Sequence, residues 1–74
     1  MTREEFLLEV QDILQRDEPL APEMLLKELP EWDSLSVMAL AGFFDTKFAK
    51  TMTFTDFASL VTVEDLMAKA DLES

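Results

Sequence analysis

The sequence predicts an all-α fold: a small four-helix bundle with a long loop between helices one and two and a short third helix. Three observations carry this expectation. Apolar residues recur at helical spacing in separate stretches, each preceded by a Thr, Asp or Ser suited to capping a helix. Alternating apolar and polar runs of the kind a strand needs are absent apart from the brief Thr51–Phe54. All three prolines, Pro19, Pro22 and Pro30, fall in one segment, which reads as a single connection.

The elements follow in order. Thr2 and Glu5 have the spacing of a capping box, and Phe6, Leu7, Val10, Ile13 and Leu14 form an apolar stripe, so helix one is expected over about 3–16. Residues 17–33 form the loop, with a turn of helix expected near 23–26 and Leu20, Leu25, Leu26 and Leu29 pinning it to the core. A connection this long in a small domain is usually functional or packed by its own side chains. Helix two is expected from Asp33 or Ser34 to about Phe48, with Val37, Leu40, Ala41, Phe44 and Phe48 on its inner face. Thr53 or Thr55 is expected to cap a short third helix near 56–60. The last helix is expected to begin at Thr62, with Asp65 three residues on, and to bury Val63, Leu66, Met67 and Ala70.

Composition narrows the function. The chain has 74 residues, which allows one domain (1–74) and one small core, and no cysteine is present to staple it. Half the residues are hydrophobic (49%), too many for a disordered acidic tail. Sixteen acids against 6 bases give a net charge of −10, which repels nucleic acid and anionic membranes and favours partners with basic patches. The same charge strains the folded state by self-repulsion, favours a monomer, and leads us to expect stability to rise with salt. No apolar run approaches the length of a membrane span, and Met1-Thr2-Arg3-Glu4-Glu5 does not read as a secretion signal. The expectation is a small cytoplasmic protein.

Catalytic chemistry has little to work with. Histidine and cysteine are both absent, the acids lack calcium-loop or paired-carboxylate spacing, and the single glycine, Gly42, rules out a glycine-rich phosphate loop. We expect no enzyme and no metal site. The best candidate for covalent chemistry is Ser34, in Glu31-Trp32-Asp33-Ser34-Leu35 at the head of helix two. Asp33 and Ser34 are both good N-caps, so on local grounds the first reading of Ser34 is a cap. A cap and an attachment site are compatible: with Asp33 as the cap, Ser34 sits in the first turn with its hydroxyl free. A phosphate ester there would lie beside unpaired backbone donors and the positive end of the helix dipole.

Asp33-Ser34-Leu35 opening the second helix of a small, acidic, helical chain resembles the attachment motif of acyl carrier proteins, and the resemblance extends along nearly the whole sequence. It implies that Ser34 receives a 4′-phosphopantetheine arm from coenzyme A through a phosphopantetheinyl transferase. The arm then holds acyl or aminoacyl groups as thioesters for acyl-loading and acyl-processing enzymes. The missing cysteine fits, because the working sulfur belongs to the cofactor. By the same resemblance Asp33 helps position metal-bound coenzyme A, and Leu35 anchors the helix start and contacts partners.

The departures from the family are specific. Glu31 and Trp32 stand where many members carry a glycine, and Ala39 stands where a glutamate is common. Helix two has no charge before Asp45, so partner contact is expected to rest on Met38, Ala39 and Phe43, although these could equally complete the core. Ala39, Ala41 and Gly42 could leave room for an acyl chain or only permit close packing. The altered helix points to a specialised fatty-acid-, polyketide- or peptide-type pathway, and the short chain to a discrete carrier. Two alternatives stand beside this reading: an unmodified carrier-like scaffold, and an acidic helical interaction module in which Ser34 only caps a helix.

Overall fold

Helix α1 spans Arg3–Ile13 and opens with the anticipated capping box. The Thr2 hydroxyl accepts from the Glu5 amide at 3.1 Å, and the Glu5 carboxylate accepts from the Thr2 amide at 2.8 Å. The helix ends short of the expected Arg16. Gln15 takes a left-handed conformation (φ 56°) and closes the helix with two bonds, Arg16 N–H to the Gln11 carbonyl and Gln15 N–H to the Asp12 carbonyl, both 3.0 Å. This is the pattern that normally uses glycine, and no glycine announces it in the sequence.

This computed structural model describes residues 1–70 and 72. Beyond α1 it contains α2 (Ser34–Phe48), α3 (Phe54–Ala58) and α4 (Val63–Ala68). Among the described residues no helix is long and apolar enough to cross a membrane. The connection from α1 to α2 holds one 3-10 turn, at Leu26–Glu28 rather than the expected 23–26. Ahead of that turn the chain pairs instead with the start of α4: Leu26 N–H donates to the Val61 carbonyl, Val63 N–H to Met24, and Glu64 N–H to Pro22, at 2.8–2.9 Å. These bonds satisfy backbone groups that proline-containing chain could not pair internally. Leu20, Leu26 and Leu29 are buried, and Leu25 is half-buried.

Helix α3 begins two residues before its expected position. Thr53 is the cap, and a second capping box with Asp56 starts the helix there. A third box, Thr62 with Asp65, opens α4 as anticipated, and Val63, Leu66, Met67 and Ala70 are buried. Helix α2 is the longest element, and Ala49, left-handed at φ 51°, ends it.

One core joins the helices. Phe6 and Val10 of α1 meet Val37, Leu40 and Phe44 of α2, Phe57 of α3, and Val63, Leu66 and Met67 of α4. Phe44 is the hub, edge-on to Phe6 (6.0 Å between ring centres) and to Phe57 (5.9 Å), an arrangement favoured by the ring quadrupoles. Trp32 lies edge-on to Phe57 at 6.3 Å and covers the end of the loop, as a hydrophobic lid would. Two polar ties brace the rim: Arg3 forks onto Glu64 at 2.7 and 3.2 Å, and the Lys50 ammonium donates to the Lys69 carbonyl at 2.6 Å.

Candidate functional site

The head of α2 carries the candidate site. Asp33 is the N-cap: its backbone is extended, and its carboxylate accepts from the Ser36 amide at 2.9 Å. That bond, together with the Ser36 hydroxyl, holds the Asp33 carboxyl below the usual aspartate range, so it is ionised at neutral pH. Ser34 is therefore the first residue of the helix and not its cap. It is exposed, and its hydroxyl has no hydrogen-bond partner among the described residues. The Ser34 oxygen thus sits free in the first turn of a 15-residue helix, where unpaired amides and the helix dipole favour an anionic substituent.

A second serine braces the first. The Ser36 hydroxyl donates to the Glu31 carbonyl and lies 3.0 Å from the Asp33 carboxylate. The Glu31 carboxylate in turn accepts from the Arg16 guanidinium at 3.0 Å. None of Ser36, Glu31 and Arg16 was singled out from the sequence as a site residue. The signal for Ser36 is legible: a hydroxyl three residues after an aspartate cap is placed to bond the cap's carboxylate and the chain before it. The signal for Arg16 and Glu31 is not, since they stand 15 positions apart at opposite ends of the loop.

The other candidates divide between solvent and core. Leu35 is 78% exposed and Met38 60%, and Ala39 is exposed as well. Leu35 therefore does not anchor the helix start. The inner face runs through Val37, Leu40 and Phe44, and a residue two positions before Val37 lies on the far side of a 3.6-residue turn. Phe43 is half-buried, its ring 5.7 Å from Phe48 and 6.0 Å from Phe6 and Phe44, so it serves the core. Gly42 is exposed, and a Cβ placed there would meet nothing within 4 Å, so close packing does not explain it.

Two open grooves flank the amino-terminal half of α2. One, of about 500 Å³, lies toward the end of α1 between Ile13, Leu14 and Gln15 on one side and Leu35, Ser36 and Ala39 on the other. The second, of about 320 Å³, lies toward α3 and is lined by Val37, Met38, Ala41, Met52, Phe54 and Phe57. Phe54, 57% exposed, is an apolar surface residue that the sequence shows only as the end of the brief alternating run Thr51–Phe54.

No family model matches the chain, and no curated protein matches it. Among solved structures it is similar to one described as a candidate acyl carrier protein from Mycobacterium tuberculosis. The two share 26% identity and superpose with a TM-score of 0.70, over 88% of this chain and 89% of the other. The chain thus has an acyl-carrier-protein-like fold, the one its Asp33-Ser34-Leu35 motif and order of helices resemble.

Proposed function

We propose that this protein is an acyl carrier protein, modified on Ser34 with 4′-phosphopantetheine and monomeric in the cytoplasm. The observation that carries the reading is the free, exposed Ser34 hydroxyl in the first turn of α2, with the capping role already taken by Asp33. A serine that only caps a helix would have its oxygen on the N2 or N3 amide. The fold likeness supports a carrier rather than a catalyst.

The residues present fit the prosthetic group. Amides of the first turn and the α2 dipole suit the phosphodiester, and ionised Asp33 supplies the carboxylate that the resemblance assigns to positioning metal-bound coenzyme A. In the modification, the Ser34 oxygen bonds to the pantetheine-side phosphorus of coenzyme A and the pyrophosphate P–O bond breaks. Adenosine 3′,5′-bisphosphate leaves, and the hydroxyl proton passes to a base of the transferase. When bound, the group supplies a terminal thiol that holds acyl or aminoacyl cargo as a thioester. Tethering raises the concentration of that cargo at each partner's active site.

Phe43, half-buried against Phe48, belongs to the core, and Leu35, Met38 and Ala39 form the proposed partner-binding surface. Its exposed side chains carry no charge, which favours partners with apolar docking patches and a specialised fatty-acid-, polyketide- or peptide-type pathway.

The test is intact-mass spectrometry after incubation with coenzyme A and a broad-specificity phosphopantetheinyl transferase. We expect one phosphopantetheine on the wild type and none on Ser34→Ala. A folded wild type left unmodified by several transferases would refute the reading.

A further inference from the structure

We infer that Arg16 and Glu31 form a positioning clamp that holds Ser34 in the geometry the modifying enzyme requires, an inference that rests on the carrier reading above. The clamp joins the two ends of the long loop. Arg16 immediately follows the left-handed turn that closes α1, and its backbone is tied to that helix twice. Its amide donates to the Gln11 carbonyl at 3.0 Å, and its carbonyl accepts from the Gln11 side chain at 3.1 Å. Its guanidinium reaches across to the Glu31 carboxylate at 3.0 Å. The Glu31 carbonyl receives the Ser36 hydroxyl, and the Ser36 amide is held by Asp33. Ser34 lies inside the loop that these last two bonds close.

Stability alone does not account for this pair. The ion pair of Arg3 with Glu64 is 45% and 49% exposed, whereas Arg16 and Glu31 are only 13% and 27% exposed. The Arg16 Nε is shielded from solvent with no partner among the described residues. Desolvating a guanidinium and a carboxylate offsets most of their attraction, and a well-packed apolar pair serves stability as well or better. What an apolar pair lacks is direction. The charge-assisted hydrogen bond from Arg16 Nη1 to Glu31 Oε1 ties the chain leaving α1 to the chain entering α2. A transferase must bring its bound coenzyme to the Ser34 oxygen, and misplacing a reacting atom by an ångström is enough to lose about 100-fold in rate.

The geometry also supplies a clean control. The ties from Gln11 to residue 16 and from Ser36 to residue 31 use backbone atoms of those residues, so exchanging the two charged side chains leaves these ties in place. The experiment measures kcat and KM of phosphopantetheine loading by mass spectrometry for wild type, R16E, E31R, the exchanged double variant R16E/E31R, and the apolar double variant R16M/E31M. Hydrogen exchange at the amides of residues 31–36 is followed in parallel.

We expect each single variant and the apolar pair to lose about 10–100-fold, mainly in kcat. Exchange at 31–36 should be faster, and R16E/E31R should regain most of the rate. R16M/E31M, which leaves no unpaired charge behind, should remain folded with an unchanged or higher melting temperature, so its loss of rate cannot come from unfolding. Folded single variants that load as fast as wild type, or an apolar pair that does so, would overturn the clamp while leaving the carrier reading intact. A wild type that takes no phosphopantetheine overturns the carrier reading and the clamp's role together.

Discussion

Three helices begin in one way and α2 begins in another. At the heads of α1, α3 and α4 a threonine hydroxyl sits at the cap and an acid three residues on: Thr2 with Glu5, Thr53 with Asp56, Thr62 with Asp65. Each partner satisfies the other's amide, and the hydroxyl is consumed in the exchange. At α2 the types are reversed, with the acid at the cap (Asp33) and the hydroxyl three residues on (Ser36). Reversal changes what the hydroxyl can reach. Ser36 bonds back to the Glu31 carbonyl, fastening the loop, and the residue between cap and brace, Ser34, keeps its oxygen free. Three of the helix starts close their own ends, and the fourth also leaves a serine hydroxyl exposed in its first turn.

The harshest way to break this contrast is to make α2 begin like the others. Asp33→Thr with Ser36→Asp installs the common box while leaving Ser34 in place. We expect circular dichroism to report the same helix content, because either arrangement caps a helix. Phosphopantetheine loading should fall about 10–100-fold, since both the Asp33 carboxylate and the Ser36 tie to Glu31 are lost around an unchanged serine. Loading at the wild-type rate would show that the reversed box is only another way to start a helix.

A milder probe compares two hydroxyls by stability alone. Thr62→Ala removes the acceptor for the Asp65 amide and should cost about 1 kcal/mol. For a domain of this size that lowers the melting temperature by about 4–8 °C. Ser34→Ala removes a hydroxyl with no partner and should stay within about 0.5 kcal/mol of wild type. Thermal unfolding followed by circular dichroism separates the two. An equal loss at Ser34 would mean that its hydroxyl contributes to the fold and is not held in reserve.

Much of this arrangement is legible in the residues themselves. Helical spacing gives the inner faces of α1, α2 and α4, and Thr-x-x-acid spacing gives the starts of α1 and α4 to the residue, whereas α3 begins two residues before its expected range. The start of α2 falls at the expected pair of residues, Asp33 and Ser34. The misses share a physical cause, which is that they depend on where distant segments meet. Gln15 leaves the helix in a left-handed turn, uncommon for a residue other than glycine, closed by the bond of the Arg16 amide to the Gln11 carbonyl. The 3-10 turn lies at Leu26 because Met24 and Pro22 are occupied by the start of α4. Leu35, an anchor only by the family resemblance, is exposed because the phase of α2 is set by Val37, Leu40 and Phe44.

The smallest effect, and the sharpest test of how alike the four starts are electrostatically, is the dependence on pH. Glu5, Asp33, Asp56 and Asp65 all have carboxyls held below their ordinary range, and in each the largest cause is a backbone amide donating to the carboxylate. A carboxyl depressed in the folded state stabilises the fold above its unfolded value, near 4. That contribution is lost as the pH falls through the lower folded value. With no histidine, no side chain has an unperturbed pKa between about pH 5 and 8, so melting temperature should be nearly flat there and drop on the acid side. The net charge of −10 opposes this, because protonation relieves self-repulsion, so the measurement belongs in about 1 M salt, where charges screen within about 3 Å. Under those conditions Asp65→Asn should flatten the acid limb more than Asp33→Asn. Asp65 accepts the amides of both Val61 and Thr62 at 3.0 Å, whereas Asp33 accepts one amide within that distance, from Ser36 at 2.9 Å. The opposite ranking would place the strongest electrostatic hold at Asp33, and the head of α2 would then be braced as much by charge as by the Ser36 hydroxyl.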